Sequence, residues 1–167
     1  MIVCFLYAVW FLEVASNMKL ALFGIVPRTL HGLPGIVFSP FLHYSMAHLS
    51  ANASSLFVML LILFLNKEYK PEETLLYIWI LSGVGTWLIG RHAIHIGASG
   101  VIYGLVAYLV SAGYWLKSWR TAIISLLVLV FYGGIFYGLL PHRGFVSWEG
   151  HLSGAIAGWW VARLHHA

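Results

Sequence analysis

Long apolar stretches alternate with short clusters of charge, Pro and Gly along the chain, and no stretch keeps a sustained polar face. Apolar runs of this length suit helices that cross a bilayer. The breaks predict helices over about 1–15, 45–65, 74–90, 99–116, 119–140 and 148–164. The first apolar run, Met1 to Val14, covers about 21 Å at ~1.5 Å per residue, short of a ~30 Å hydrocarbon core, so that helix is either truncated or extends past Glu13. Pro71, Glu72 and Glu73 suit the start of the third helix, and Pro141 closes the fifth. Residues 16–42 form a long connection with Pro27, Pro34 and Pro40, apolar enough to lie in the membrane interface.

Composition removes the main competitor. Hydrophobic residues make up 61% of the 167 positions and charged ones only 8%, with a mean hydropathy of +0.88. A soluble domain carries about 25% charged residues, so a water-soluble globule is excluded. The expected fold is an all-α membrane protein, a single six-transmembrane-helix bundle.

Charge adds little beyond this. Nine scattered Lys and Arg face five Glu and no Asp, giving a net charge of +4, which reads as helix-end and loop cations and not as a nucleic-acid face. The lone Cys4 permits no internal disulfide. Met1 runs directly into apolar residues, so the N-terminus is expected to belong to the first membrane segment and not to a removable signal. With that end inside, Lys67, Lys70, Lys117, Arg120 and Arg163 fall on the inner side, against Lys19, Arg28, Arg91 and Arg143 outside.

Polar residues inside apolar helices are costly and draw notice. His48 and Asn52 lie four apart, one turn from each other on one face, whereas His43 sits in the approach to that helix. The pair could simply bond neighbouring backbone. Gly97-Ala98-Ser99-Gly100 opens the fourth helix, where small residues allow a tight turn and Ser99 could serve only as a cap. It is not a G-x-S-x-G elbow, because Val101 replaces the last Gly. Gly100 with Gly104, and His151 with Gly154 and Gly158, form strips along which two helices could pack closely.

Together these sets suggest a reaction. If the two strips meet, Ser99 and His151 reach similar depth, and an unprotonated imidazole could activate the hydroxyl. Asn52, His48 and the Ser99 amide are candidate donors to an oxyanion, and Tyr103, one turn below Ser99, could orient the imidazole. Glu149 points to the opposite helix face from His151, so a Ser–His dyad is what the chain can supply.

The stretches Phe41-Leu42-His43-Tyr44-Ser45-Met46-Ala47-His48-Leu49-Ser50-Ala51-Asn52, Gly97-Ala98-Ser99-Gly100-Val101-Ile102-Tyr103-Gly104 and Gly150-His151-Leu152-Ser153-Gly154 resemble the rhomboid intramembrane serine proteases. The resemblance implies Ser99 as nucleophile, His151 as general base and acid, His48 and Asn52 with the Ser99 amide at the oxyanion, Tyr103 stacked on His151, and His43 near the opening of the site. It also implies a rhomboid-like six-helix fold with no metal or organic cofactor. Substrates would be transmembrane proteins cleaved in or beside their spanning segments. The protein would lie in a lipid bilayer, the inner membrane of a bacterium, with its site open to the outer face. Two departures stand out: the Trp-Arg pair that many relatives carry in the first loop is absent, and Gly150 replaces an Ala common before the catalytic His.

Two other readings compete. A non-catalytic relative could bind membrane clients. Alternatively, His43, His48, His95 and His151 could meet around Zn²⁺, although the chain has no H-E-x-x-H motif. His31, His92 and His142 are expected in loops, and His165 and His166 as solvated end residues.

Overall fold

The computed structural model describes residues 2–141 and 146–166. His142, expected in a loop, lies outside them, as do Met1 and Arg143. Its long helices are α1 (Ile2–Ser16), α2 (Met46–Leu65), α3 (Pro71–Ile89), α4 (Ser99–Trp115), α5 (Trp119–Tyr132) and α6 (Trp148–His166), and no strand occurs among the described residues. Helix α3 begins three residues before the expected position because Lys70 turns left-handed, at φ 45°, and hands directly to Pro71 at the first helical position. Beyond Tyr132, α5 tightens into a 3₁₀ segment, Gly133–Leu139. The connection after α1 is built of 3₁₀ turns and one helical turn, Gly35–Phe38. An antiparallel bridge between Ile25 and His95 pins it to the turn that precedes α4.

Helix α4 is the axis of the bundle, and every residue from Val101 through Leu109 is buried. Helix α6 packs most closely on it, with α3 against α6 and with α5 and α2 on the remaining sides. The tight contact has a simple cause. A Cβ on Gly154 would run into the Gly100 carbonyl, and one on Gly158 into the Gly104 carbonyl, so only bare backbone lets the two helices approach this far.

Several polar side chains are buried beside the apolar core, and many large apolar ones lie outside. Asn52, Ser82, Thr86, His95, Glu149 and His151 are buried, whereas Val130 and Phe131 on α5 are 68% and 75% exposed. Water-soluble proteins distribute these groups the other way round. By length and composition, Met46–Leu65 and Trp119–Leu139 can each cross a membrane.

At the far end of α6 the structure corrects one expectation. His165 and His166 are half-buried and partnered: His165 Nδ1 lies 3.2 Å from the Thr74 hydroxyl, and His166 Nε2 lies 3.0 Å from that of Tyr108. Both hydroxyls also donate to the Tyr69 carbonyl, at 2.6 and 2.8 Å. The last turn of α6 is drawn against α3 and α4 because these polar groups, sunk at the helix ends, need partners.

Candidate active site

Ser99 is the first residue of α4, and the turn before it is set by Gly97 at φ +112°, a conformation L side chains rarely adopt. The Gly97 N–H donates to the Ser39 carbonyl at 2.8 Å, which ties the turn to the preceding loop. His151 lies on the first turn of α6, whose N-terminus is capped by Ser147. The Ser147 hydroxyl accepts from the Gly150 N–H at 3.1 Å, and the Ser147 carbonyl accepts from the His151 N–H at 3.1 Å. The contact of Gly154 with Gly100, the residue after Ser99, brings the two helix starts together. His151 Nε2 and Ser99 Oγ are 3.0 Å apart.

The other ring nitrogen, Nδ1, donates to the Gly138 carbonyl at 3.0 Å. A carbonyl can only accept, so the proton sits on Nδ1 and Nε2 is left to accept from the Ser99 hydroxyl. One face of the imidazole is covered by Tyr103, with ring centroids 4.0 Å apart and an interplanar angle of 8°.

His48 and Asn52 face the same turn from α2. Ser45 caps that helix by accepting the His48 N–H at 3.1 Å, which fixes the register of both side chains. The Asn52 amide donates to His48 Nε2 at 3.0 Å. A Cβ on Gly97 would come within 2.9 Å of the His48 ring and 3.3 Å of the Asn52 amide nitrogen, so both side chains lie directly against the segment that delivers Ser99. Gly100 serves the packing on its other side, where a Cβ would meet the Ser82 hydroxyl and the Gly150 carbonyl. His43 is buried behind His48, with ring centroids 5.0 Å apart. Burial, and then the neighbouring His48, pushes the His43 imidazole down to about 4.

These groups wall a cavity of about 510 Å³ lined by Tyr44, His48, Asn52, Ser99, Tyr103 and His151 together with the apolar side chains of Ile94, Ile102 and Ile135. It is large enough for an extended peptide segment and mixes polar groups at its floor with apolar walls. The four histidines that could have met around a metal do not converge: among the described residues no group of three or more His, Cys or carboxylate side chains could hold an ion. His95 instead bonds Ser147 Oγ through Nδ1 at 2.6 Å and the Arg91 carbonyl through Nε2 at 3.0 Å.

Three contributors lie outside the residues expected to react. They are the Gly138 carbonyl, the Ser45 cap, and Glu149, which is buried and paired with Arg91 at 3.5 Å.

A sequence model of the Rhomboid domain matches residues 31–167, which hold all the site residues described. The chain belongs to the rhomboid family. It is 41% identical over 165 residues to an uncharacterized protein of Mycobacterium tuberculosis, covering 93% of this chain and 69% of the relative. It is also 39% identical over 134 residues to an uncharacterized protein of Mycobacterium leprae, covering 74% and 53%. A putative rhomboid protein of Acanthamoeba polyphaga mimivirus is 32% identical over 124 residues, covering 71% and 67%. No solved structure gives a significant match to this rhomboid chain.

Proposed function

We propose that this rhomboid is an intramembrane serine endopeptidase that cleaves peptide bonds in or beside the spanning segments of membrane-protein substrates. The observation that carries the reading is the 3.0 Å approach of His151 Nε2 to Ser99 Oγ, with the imidazole held by Tyr103 and the Gly138 carbonyl. This is the geometry of a nucleophile and its base.

Ser99 Oγ attacks the scissile carbonyl carbon while its proton passes to His151 Nε2. The carbonyl oxygen becomes an oxyanion, stabilised by the Asn52 amide, His48 and the Ser99 N–H at the helix start, where backbone N–H groups lack intrahelical partners. The C–N bond then breaks, His151 protonates the leaving amine, and an acyl-enzyme remains on Ser99. Water entering the cavity loses a proton to His151 and adds to the acyl carbon; the C–Oγ bond then breaks as His151 returns that proton to Ser99 Oγ, which releases the product with its new carboxyl group and restores the enzyme. Helical backbone hides its carbonyls, so substrates must unwind locally, which favours segments with Gly, Ser or Ala near the cavity.

In this reading all six long helices cross the bilayer of a bacterial inner membrane. The cavity opens to the outer face, and the Lys67, Lys70, Lys117 and Arg120 end lies inside. The test is cleavage of a substrate with one spanning segment by purified protein in detergent or vesicles, beside labelling by a fluorophosphonate. Ser99→Ala is expected to abolish both. Cleavage that survives in Ser99→Ala removes the assignment. If wild type binds the substrate but neither cleaves nor labels, the protein acts as a non-catalytic client binder instead.

A further inference from the structure

Four residues outside the reacting group join the segment leading into Ser99 to the helix that carries His151. Arg91, just beyond α3, sends its guanidinium across to α6, where Nη2 donates to the Val146 carbonyl at 2.7 Å and Nη1 lies 3.5 Å from Glu149 Oε1. The Arg91 backbone N–H reaches the same carboxylate oxygen at 3.3 Å. Glu149 is only 3% exposed, so its charge is withdrawn from water and depends on these donors. It also lies in the first turn of α6, where a carboxylate suits the positive end of the helix dipole.

His95 makes the second link. Its Nε2 meets the Arg91 carbonyl at 3.0 Å, which assigns the proton to Nε2 and leaves Nδ1 to accept from the Ser147 hydroxyl at 2.6 Å. Ser147 in turn accepts from the Gly150 N–H as the cap of α6. The His95 backbone is itself fixed, exchanging N–H···O bonds of 2.9 Å in both directions with Ile25. A continuous run of bonds thus connects the connection after α1, the turn before α4 and the first turn of α6.

The location of this run gives it a role. The glycine contact between α4 and α6 sets how closely the two helices approach at Gly100–Gly154 and Gly104–Gly158, and this run of bonds joins the segments that lead into the two helix starts. Proton transfer tolerates little misplacement: a displacement of ~1 Å costs roughly a hundredfold in rate. We propose that Arg91, His95, Ser147 and Glu149 are positioning residues that clasp the start of α6 to the approach to Ser99 and thereby set the separation of the reacting side chains. The proposal rests on the reading of Ser99 and His151 as the reacting pair.

Because Arg91, His95 and Ser147 also face the cavity, contact with substrate is the competing role, and kinetics separates the two. The experiment measures kcat, KM and the rate of fluorophosphonate labelling, which needs the reacting pair but no substrate recognition. The full chain in detergent is compared as wild type, Ser99→Ala, Ser147→Ala, Ser147→Thr, Arg91→Ala, Glu149→Gln and the Arg91→Ala/Glu149→Gln double variant. Positioning predicts that kcat and labelling fall together by roughly tenfold to a hundredfold in Ser147→Ala and Arg91→Ala, with KM within about twofold. Ser147→Thr keeps the hydroxyl and recovers most of the loss, and the double variant is no worse than its poorer parent.

A raised KM with kcat and labelling unchanged makes these residues substrate contacts and overturns the proposal. So does wild-type labelling in Ser147→Ala. If Arg91→Ala does not fold, the Ser147→Ala and Ser147→Thr pair decides alone. Active clasp variants beside an inert Ser99→Ala sink only the clasp, whereas an active Ser99→Ala sinks the reaction itself.

Discussion

His151 Nδ1 donates to the carbonyl oxygen of Gly138, 3.0 Å away, so a backbone group from the 3₁₀ segment after α5 occupies the place where soluble serine hydrolases put a carboxylate. The chain has no Asp, and Glu149 is engaged with Arg91, so orientation of the imidazole falls to a neutral acceptor and to the Tyr103 ring. A neutral acceptor fixes the tautomer without adding a buried charge.

This contact makes Gly138 sensitive. A Cβ there would collide with the Tyr103 hydroxyl and come within 3.1 Å of His151 Nδ1. Gly138→Ala is expected to lower kcat by roughly tenfold to a hundredfold through a displaced imidazole. Steady-state cleavage, with thermal unfolding to verify the fold, measures this. Unchanged kcat would mean that the carbonyl contact does not orient the ring.

Asn52 and His48 bond each other beside the Gly97 turn, and in the proposed reaction both support the oxyanion. Asn52→Ala and His48→Ala should each reduce kcat by roughly 10²–10³ while leaving KM near wild type. Because the two act as a bonded unit, the double variant should lose less than the product of the single losses. A purely multiplicative result, or turnover that is unchanged in both single variants, moves the oxyanion site elsewhere.

Gly154 and Gly158 allow α6 to touch the carbonyls of Gly100 and Gly104. Replacing either by Ala forces the helices apart and should cost about 1–3 kcal/mol of stability by overpacking. Gly154→Ala should also depress kcat more than Gly158→Ala, since it lies closer to His151. Thermal unfolding in detergent together with cleavage rates tests both statements. Equal activity losses at the two positions would separate helix spacing from the reaction.

Burial holds the His43 imidazole at about 4, well below its ordinary 6.5. Below pH 6.5 the unfolded chain therefore binds a proton that the folded chain refuses, and stability falls as pH drops towards 4, where the loss is complete. At ~1.4 kcal/mol per pH unit, this amounts to about 3 kcal/mol over the window. His43→Gln should remove that slope between pH 6.5 and 4 in thermal or denaturant unfolding. An identical slope in the variant assigns the acid sensitivity to other groups.

Much of the site was legible because its parts are local. His48 and Asn52 share a helix face, Ser99 follows a Gly-rich turn, and His151 heads a strip of Gly, all readable from spacing alone. The capping of α2 by Ser45 is equally local, since the residue it accepts from, His48, lies only three positions later. The partnerships of His165 and His166 with Thr74 and Tyr108 were not legible, since nothing in a C-terminal His pair says which helix lies across from it.

By itself the sequence determined the helical, lipid-compatible character of the chain and the residue types able to react. Both follow from hydrophobic run length and from side-chain chemistry, which belong to short stretches of chain. The tertiary structure alone decided what orients the imidazole and what joins the two helix starts. A backbone carbonyl such as that of Gly138 is chemically the same at every position and leaves no trace in the residue pattern. Arg91 and Glu149 become partners only because the glycine contact between α4 and α6 draws together segments that are remote along the chain.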